Sequence, residues 1–131
     1  MSTPASKPKG LAQLADDLLS FARGEAREGF KKQDPLRIRD AAEKGWNAAV
    51  QATDLAMRAR GQFATPGTQA HRDRHQFFEV IGRHDLQKQY AFFADRLHGA
   101  CFYEGLLPHE EDMNRWLDEV AQYIEEIKAG I

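Results

Sequence analysis

The chain has 131 residues, of which 42% are apolar, and its 18 basic and 20 acidic side chains give a net charge of -2. This length and composition suit one domain with a packed core, and the balanced charge excludes a general attraction to nucleic acid or anionic membrane. The single cysteine, Cys101, excludes an internal disulfide and an all-cysteine metal site, and it fits a cytoplasmic protein. No apolar run approaches the roughly 20 residues needed to cross a bilayer, so no membrane partner is expected.

The beginning of the chain predicts a tail followed by a helix. Residues 1–10 have a basic end with no apolar core after it, which is not typical of a signal peptide, so we expect a disordered N-terminal tail. Residues 11–131 are expected to form a single helical-bundle domain. The first helix, over 11–32, is predicted from an apolar stripe at helical spacing, made of Leu11, Leu14, Ala15, Leu18 and Ala22.

The segment 35–60 predicts the central helix of the bundle. Asp34 followed by Pro35 is typical of a helix start, and Gly61 is typical of a helix end. Alanine and glycine recur at helical spacing, and the other side carries Trp46, Val50 and Met57. A helix that is apolar on most of its circumference belongs in the middle of a bundle, and its small residues let the neighbouring helices approach closely. Opposite charges one turn apart predict three ion pairs on this helix, which are Arg39 with Glu43, Asp40 with Lys44, and Asp54 with Arg58.

Three further helices are predicted in the second half of the chain. The third spans about 68–81, the fourth is capped by Asp85 and spans 86–103, and the fifth follows Pro108 and continues to about 128. The inward stripe of the fourth consists of Leu86, Tyr90, Phe93, Leu97 and Cys101. No segment alternates with the period of two that is typical of a strand. We therefore predict an all-α fold, a single up-and-down bundle of about five helices.

His71 and His75 lie one helical turn apart, a spacing at which two imidazoles can bind one metal ion. The sequence offers no identifiable third and fourth ligand, so a solvated helix face is the favoured interpretation, and no cofactor is expected. The same region holds a concentration of basic residues that can either contact phosphates or form a charge-mixed surface. Its members are His71, Arg72, Arg74, His75, Arg83 and His84. Asp73, Asp85 and Glu79 lie among them and favour the charge-mixed surface.

His98 is a candidate for acid–base chemistry, because it lies near the inward stripe of the fourth helix and is followed by Tyr103. A partly buried histidine that is hydrogen-bonded to a neighbouring helix is the simpler interpretation. The polar strip of the central helix is predicted to face His98 across the bundle, and it consists of Glu43, Lys44 and Asn47. Cys101 lies on the apolar stripe and is predicted to be a core residue.

Two stretches of the chain resemble a known family. The stretch AAEKGWNAAVQATDLAM is similar to the alanine-rich central helix of PaREP proteins, and RLHGACFYEG is similar to a later segment in which Leu-His precedes an aromatic-Tyr-Glu-Gly ending. The order and spacing of the helices match over about residues 11–128. PaREP proteins are similar to the HEPN group (higher eukaryotes and prokaryotes nucleotide-binding), so the resemblance implies a HEPN-like, often dimeric, helical bundle.

The resemblance implies one of two kinds of function. Some HEPN members are metal-independent ribonucleases of toxin–antitoxin or defence systems, and others are non-catalytic partners of nucleotidyltransferases. The ribonucleases carry an arginine that is followed, after four to six residues, by a histidine, and no pair in this chain has that spacing. The positions that match the PaREP pattern are Glu43, Lys44, Trp46, His98, Tyr103 and Glu104.

We therefore expect a non-catalytic HEPN-like module that binds a protein partner, such as a nucleotidyltransferase of a two-component system, or a nucleotide or RNA. The candidate binding residues are Glu43, Lys44, Trp46 and Glu104. The alternative is a toxin-like ribonuclease with a non-standard catalytic site, formed by Arg96, His98 and Tyr103. A third hypothesis is a helical-repeat scaffold, although no second copy at the expected repeat spacing is present.

Adjacent aromatic residues recur in the second half of the chain and predict a homodimer. Neighbouring helical residues point about 100° apart, so one core rarely takes both members of such a pair. The members expected inside are Phe78, Phe93 and Tyr103, and those expected near the surface are Phe77, Phe92 and Phe102. A row of exposed aromatics is typical of an interface, and a symmetric dimer is the commonest assembly.

Overall fold

The computed structural model describes residues 10–131 and contains, in that part of the chain, helices and no strand. The elements are α1 (Leu11–Lys31), α2 (Pro35–Ala59), α3 (Gln69–Val80), α4 (His84–Phe93), its π-helical continuation (Ala94–Tyr103), called the π segment below, and α5 (Glu110–Lys128). With α4 and the π segment counted as one continuous helix, the predicted all-α bundle of five helices is confirmed. The predicted N-terminal tail lies outside the described residues, except for Gly10, which precedes α1. Between residues 10 and 131, no helix is both long and apolar enough to cross a membrane.

Helix α2 lies at the centre of the bundle, and α1, α5 and the π segment pack around it. Its small residues are almost entirely buried, and they are Ala41, Ala42, Gly45, Ala48, Ala49, Ala52 and Ala56. A Cβ atom on Gly45 would lie 2.7 Å from Leu117 Cδ2 of α5, and one on Gly29 of α1 would lie 2.9 Å from Ile38 Cγ1. Helices α1 and α5 therefore approach α2 more closely than a side chain at either glycine would allow.

The predicted helix ends are confirmed at most positions. The Asp34 side chain accepts hydrogen bonds from the Leu36 and Arg37 amides at 3.1 and 3.4 Å, which satisfies two free donors of the first turn of α2. Three glycines that follow helices have positive φ, and they are Gly61, Gly82 and Gly105. The prediction that Asp85 caps the fourth helix is wrong. Helix α4 begins at His84, one residue before Asp85, and both carboxylate oxygens of Asp85 accept hydrogen bonds from Arg83, at 3.0 and 2.9 Å.

The fourth helix changes its hydrogen-bond register, which the sequence analysis did not predict. After Phe93 the backbone continues as a ten-residue π helix, and the Glu104 amide donates to the carbonyl of Gly99, five residues earlier, at 2.9 Å. Phe93, Leu97 and Cys101 are fully buried, as predicted. Their repeat of four exceeds the 3.6 residues of an α-helical turn, and the wider π turn keeps all three on the core side.

One of the three predicted ion pairs within α2 forms, between Asp40 and Lys44 at 3.8 Å. In the other two, three of the four side chains instead contact neighbouring elements. These contacts are Arg39 with the carbonyl of Phe102, Glu43 with His98, and Asp54 with Arg74. A local i,i+4 pair contributes only a few tenths of a kcal/mol, so better geometry across the bundle decides the partner.

The predicted orientation of the aromatic pairs is partly wrong. Phe78 and Phe93 are fully buried and Phe92 is 36% exposed, as expected. Phe77, however, is buried, and it packs edge-on against Phe78 with the ring centroids 5.5 Å apart. Tyr103 is 77% exposed, because it is the last residue of the π segment, where the helix ends.

A hydrogen-bonded pair of polar side chains lies inside the core. Thr53 and Tyr123 are both fully buried, and their hydroxyl oxygens are 2.6 Å apart. The Thr53 hydroxyl donates its only proton to the carbonyl of Ala49 at 2.8 Å, so Tyr123 must be the donor to Thr53. Burial raises the pKa of Tyr123, which keeps the phenol protonated for this role.

The direction of this hydrogen bond, from Tyr123 to Thr53, predicts that removing one hydroxyl costs more stability than removing the other. Thr53→Val leaves the buried Tyr123 donor without an acceptor and should lower the free energy of unfolding by about 1–3 kcal/mol. Tyr123→Phe leaves the hydrogen bond from Thr53 to the carbonyl of Ala49 intact, so it should lower the free energy of unfolding by only about 0.5–1.5 kcal/mol. Urea denaturation of both variants and the double variant measures this. A larger loss in Tyr123→Phe than in Thr53→Val would contradict the assigned donor.

Candidate functional site

An open cleft of about 550 Å³ lies between α2, the start of α3 and the π segment. Its wall combines apolar, aromatic and charged side chains with part of the connection between α2 and α3. The side chains used below are Trp46, Asn47, His71, Arg74, Asp95 and His98. A cleft of this size, with a few polar groups converging on an aromatic wall, is typical of a site for a small ligand.

Trp46 forms the floor of the cleft, and its indole ring is only 7% exposed. The ring of the fully buried Tyr90 packs beneath it with centroids 5.2 Å apart. The imidazoles of His98 and His71 lie around the indole at centroid distances of 5.8 and 6.1 Å. Both histidines are therefore held by one buried aromatic residue of the central helix.

His98 is oriented from both sides by contacts with other groups. Its Nδ1 lies 2.8 Å from Oε2 of Glu43 on α2, whose side chain is only 16% exposed. The ring of Phe102, one turn further along the π segment, stacks on the imidazole at 20° and 6.1 Å. The prediction that Glu43 faces His98 across the bundle is confirmed. Since Nδ1 is occupied, Nε2 is the ring nitrogen left for a ligand.

His71 has the same arrangement with a different partner. Its Nδ1 lies 3.0 Å from the hydroxyl of Tyr90, and the two rings stack at 29° with centroids 5.3 Å apart. Burial lowers the pKa of His71, and the charges of His75 and Arg74 lower it further, against an opposing contribution from Asp95. A neutral imidazole can accept a hydrogen bond from the Tyr90 hydroxyl at Nδ1, and its Nε2–H then points away from Tyr90.

Arg74 supplies a fixed positive charge at the wall of the cleft. Its Nε and Nη2 donate to the two carboxylate oxygens of Asp54 at 2.8 and 3.2 Å. Burial works against the charged guanidinium, but the hydrogen bonds and the charge of Asp54 outweigh it and raise the pKa of Arg74. The Tyr90 side chain is a further hydrogen-bond partner of this guanidinium and also raises its pKa.

The structure brings together some of the predicted binding residues and separates others. Glu43, Trp46 and His98 meet at the cleft, as described above. Lys44 lies apart from them, beside Asp40 and 6.0 Å from the centre of the Phe21 ring. Glu104 is an exposed residue directly after the π segment. Of the four candidates, Trp46 lines the cleft, and Glu43 is connected to it through its contact with His98. Lys44 and Glu104 lie outside it.

The predicted catalytic set is also divided. The exposed ring of Tyr103 lies 6.4 Å from that of His98, so these two are neighbours. Arg96 instead stacks over the rings of Phe92 and Trp116, at 5.9 and 5.3 Å from their centroids. Arg96 thus contacts α4 and α5 and does not line the cleft.

The two histidines considered for metal binding differ in their surroundings. His71 engages Tyr90 through Nδ1, whereas Nδ1 of His75 is buried and has no hydrogen-bond partner. Within residues 10–131, no group of three or more His, Cys, Asp or Glu side chains is placed to hold a metal ion. Two arginines of the basic region form ion pairs with carboxylates, Arg74 with Asp54 and Arg83 with Asp85 and Glu126.

The sequence indicated no functional role for Tyr90 or Asp95, and Arg74 was a candidate only as a member of the basic region. Tyr90 was correctly placed on the buried stripe, but nothing in the sequence indicates that its hydroxyl reaches His71, 19 residues away. The nearest signal was the recurrence of histidine at 71 and 98, on two helices that both pack against α2.

In comparisons with known proteins, no family model, no curated protein and no solved structure matches this chain.

The lowered pKa of His71 predicts a pH dependence of stability. In the unfolded chain His71 has its ordinary pKa of 6.5, so on acidification below that value it takes up a proton before the folded protein does. The stability contributed by the neutral imidazole is complete above 6.5 and is lost as the pH falls through the lower, folded pKa. Urea unfolding midpoints at about pH 7.5 and about pH 5.5 measure this loss of stability. Between these two pH values His71→Gln should lose less stability than the wild type. A histidine NMR titration that places the His71 midpoint above 6.5 would contradict the assignment.

Proposed function

We propose that this chain is a non-catalytic, HEPN-like binding module and that its cleft binds a nucleotide. The observation that carries the proposal is the pair of imidazoles, His71 and His98, held around the indole of Trp46. Trp46 is nearly buried and backs the histidine rings, while His71 and His98 are the more exposed members of the cluster. Planar side chains of this kind stack on nucleobases.

The polar groups of the cleft suit the remainder of a nucleotide. The Nε2 atoms of His71 and His98 and the amide of Asn47 can form hydrogen bonds with base edges or sugar hydroxyls. The guanidinium of Arg74, which Asp54 holds in position at the wall of the cleft, can contact a phosphate oxygen. A nucleotide satisfies both requirements, a planar ring and an anionic group, in one ligand.

The proposal extends to the partners expected from the family resemblance. A nucleotidyltransferase acting with this chain in a two-component system is consistent with a module that binds a nucleotide without transforming it. The separation of Arg96 from His98 supports the non-catalytic form, because it removes the only arginine that was assigned to the predicted catalytic set.

Isothermal titration calorimetry with ATP and with AMP tests nucleotide binding. His98→Ala and His71→Ala should each weaken the affinity by about tenfold, since each removes one stacking ring and one hydrogen-bonding nitrogen. His84→Ala is the matched control, because His84 is an exposed histidine at the start of α4 that does not line the cleft. Absence of binding by the wild type, or equal losses in all three variants, would contradict the proposal.

A ribonuclease activity remains the second candidate because two imidazoles line one cleft. One is backed by the carboxylate of Glu43 and the other by the phenol of Tyr90, so the two imidazoles have chemically different partners. Incubation of the purified protein with total RNA distinguishes the two functions. Cleavage by the wild type that is lost in His98→Ala would replace the non-catalytic proposal by this one.

We also propose that the protein is a homodimer that associates through Phe92. This ring is 36% exposed and packs edge-on against Trp116 of α5, with Arg96 over both. Phe102 stacks on His98 and is partly buried, so the proposed interface is centred on Phe92, whose ring packs on the buried Trp116, and does not follow a row from 92 to 102.

The dimer predicts about twice the 14.9 kDa chain mass in light scattering at micromolar concentration. Phe92→Glu should give a monomer with an unchanged helical circular-dichroism spectrum, because the side chain lies at the surface of α4. Phe21→Glu is the matched control, since Phe21 is 51% exposed on α1 and lies outside the proposed interface. A wild-type protein that remains monomeric at high concentration would exclude the interface.

A further inference from the structure

The end of the π segment is held to the central helix by one arginine. Arg39 of α2 donates from Nε and Nη2 to the carbonyl of Phe102 at 2.9 and 2.6 Å, and from Nη2 to that of Tyr103 at 3.4 Å. Gly105 lies against the same guanidinium, and a Cβ there would be 3.5 Å from its central carbon. Three hydrogen-bond contacts from a single side chain thus converge on the last two residues of the π segment.

These carbonyls need a donor because the helix ends at this point. The amide of Glu104 bonds to Gly99 and the amide of Leu106 bonds to Ala100, both at 2.9 Å, so neither of these amides bonds to Phe102 or Tyr103. The last carbonyls of any helix lack partners within the helix and require donors from outside. Arg39 supplies these donors for Phe102 and Tyr103 in the π register.

Arg39 and Glu43 act on the π segment as a pair. They are one turn apart on α2, where each could neutralise the other, yet Glu43 contacts His98 and Arg39 contacts the carbonyl of Phe102. Phe102 connects the two contacts, because its ring stacks on the imidazole of His98. Arg39 therefore fixes the residue against which His98 rests.

We propose that Arg39 is a positioning residue for the ligand cleft, which holds the π segment in the register that places His98 beside Trp46. A shift of one residue in a helix rotates a side chain by about 100°, which would separate His98 from Glu43 and from the indole. As far as ligand binding is concerned, the inference rests on the proposed nucleotide function. The placement of His98 does not depend on that function and is measured separately.

The test compares Arg39→Gln with Arg37→Gln, a matched control on the same helix whose partner is Asp34. Nuclear Overhauser effects between the His98 and Trp46 rings report on the placement of His98, since the centroids are 5.8 Å apart. In Arg39→Gln these effects should disappear, and the affinity for ATP should fall about tenfold, while the helical circular-dichroism signal persists. Arg37→Gln should resemble the wild type in all three measurements.

Arg39→Lys provides a second variant in case Arg39→Gln does not fold. Lysine retains the charge but lacks the guanidinium fork, so it should restore the ring contact and the affinity only in part. Wild-type ring contacts in both Arg39 variants, or an equal loss in Arg37→Gln, would overturn the inference. If the wild type does not bind ATP, the proposed function fails, and the ring contacts alone decide the role of Arg39.

Discussion

The close approach of α1 and α5 to α2 is the constraint on which the other features of the structure depend. Gly45 leaves room for Leu117, and Gly29 leaves room for Ile38, at distances that a Cβ atom on either glycine would not permit. The alanines of α2 extend this small surface around most of the helix. Burial of the large side chains of the neighbouring helices against this surface supplies the main stabilising free energy of the bundle.

The same packing determines which polar groups of α2 reach its neighbours. Because the buried side chains of α2 are mostly small, its neighbours lie close, and Arg39, Glu43 and Asp54 are within hydrogen-bonding distance of the π segment or of α3. A side chain that leaves a local ion pair loses only a few tenths of a kcal/mol, whereas a buried carbonyl or guanidinium without a partner would cost more. The polar side chains of α2 therefore connect the helices to one another.

Buried aromatic residues and their polar partners hold the two imidazoles of the cleft in place. Tyr90 is fully buried, and burial raises the pKa of its phenol, so it remains a neutral partner for His71. Glu43 performs the corresponding role for His98 with a carboxylate. The two imidazoles thus have opposite kinds of partner at Nδ1, one neutral and one acidic, although the same indole supports both rings.

The sequence by itself determined the helices, most of their ends and the central position of α2, because apolar periodicity and capping depend on residues within a turn or two of one another. It also indicated that Glu43 and His98 would meet, because both lie on helices that must pack together. Only the tertiary structure decided the partners of Arg39 and Asp54, the π register after Phe93 and the outward direction of Tyr103. It alone showed that His71 reaches Tyr90 and belongs to the cleft. These features depend on small differences between local and long-range contacts, and the long-range contacts exist only once the helices are packed.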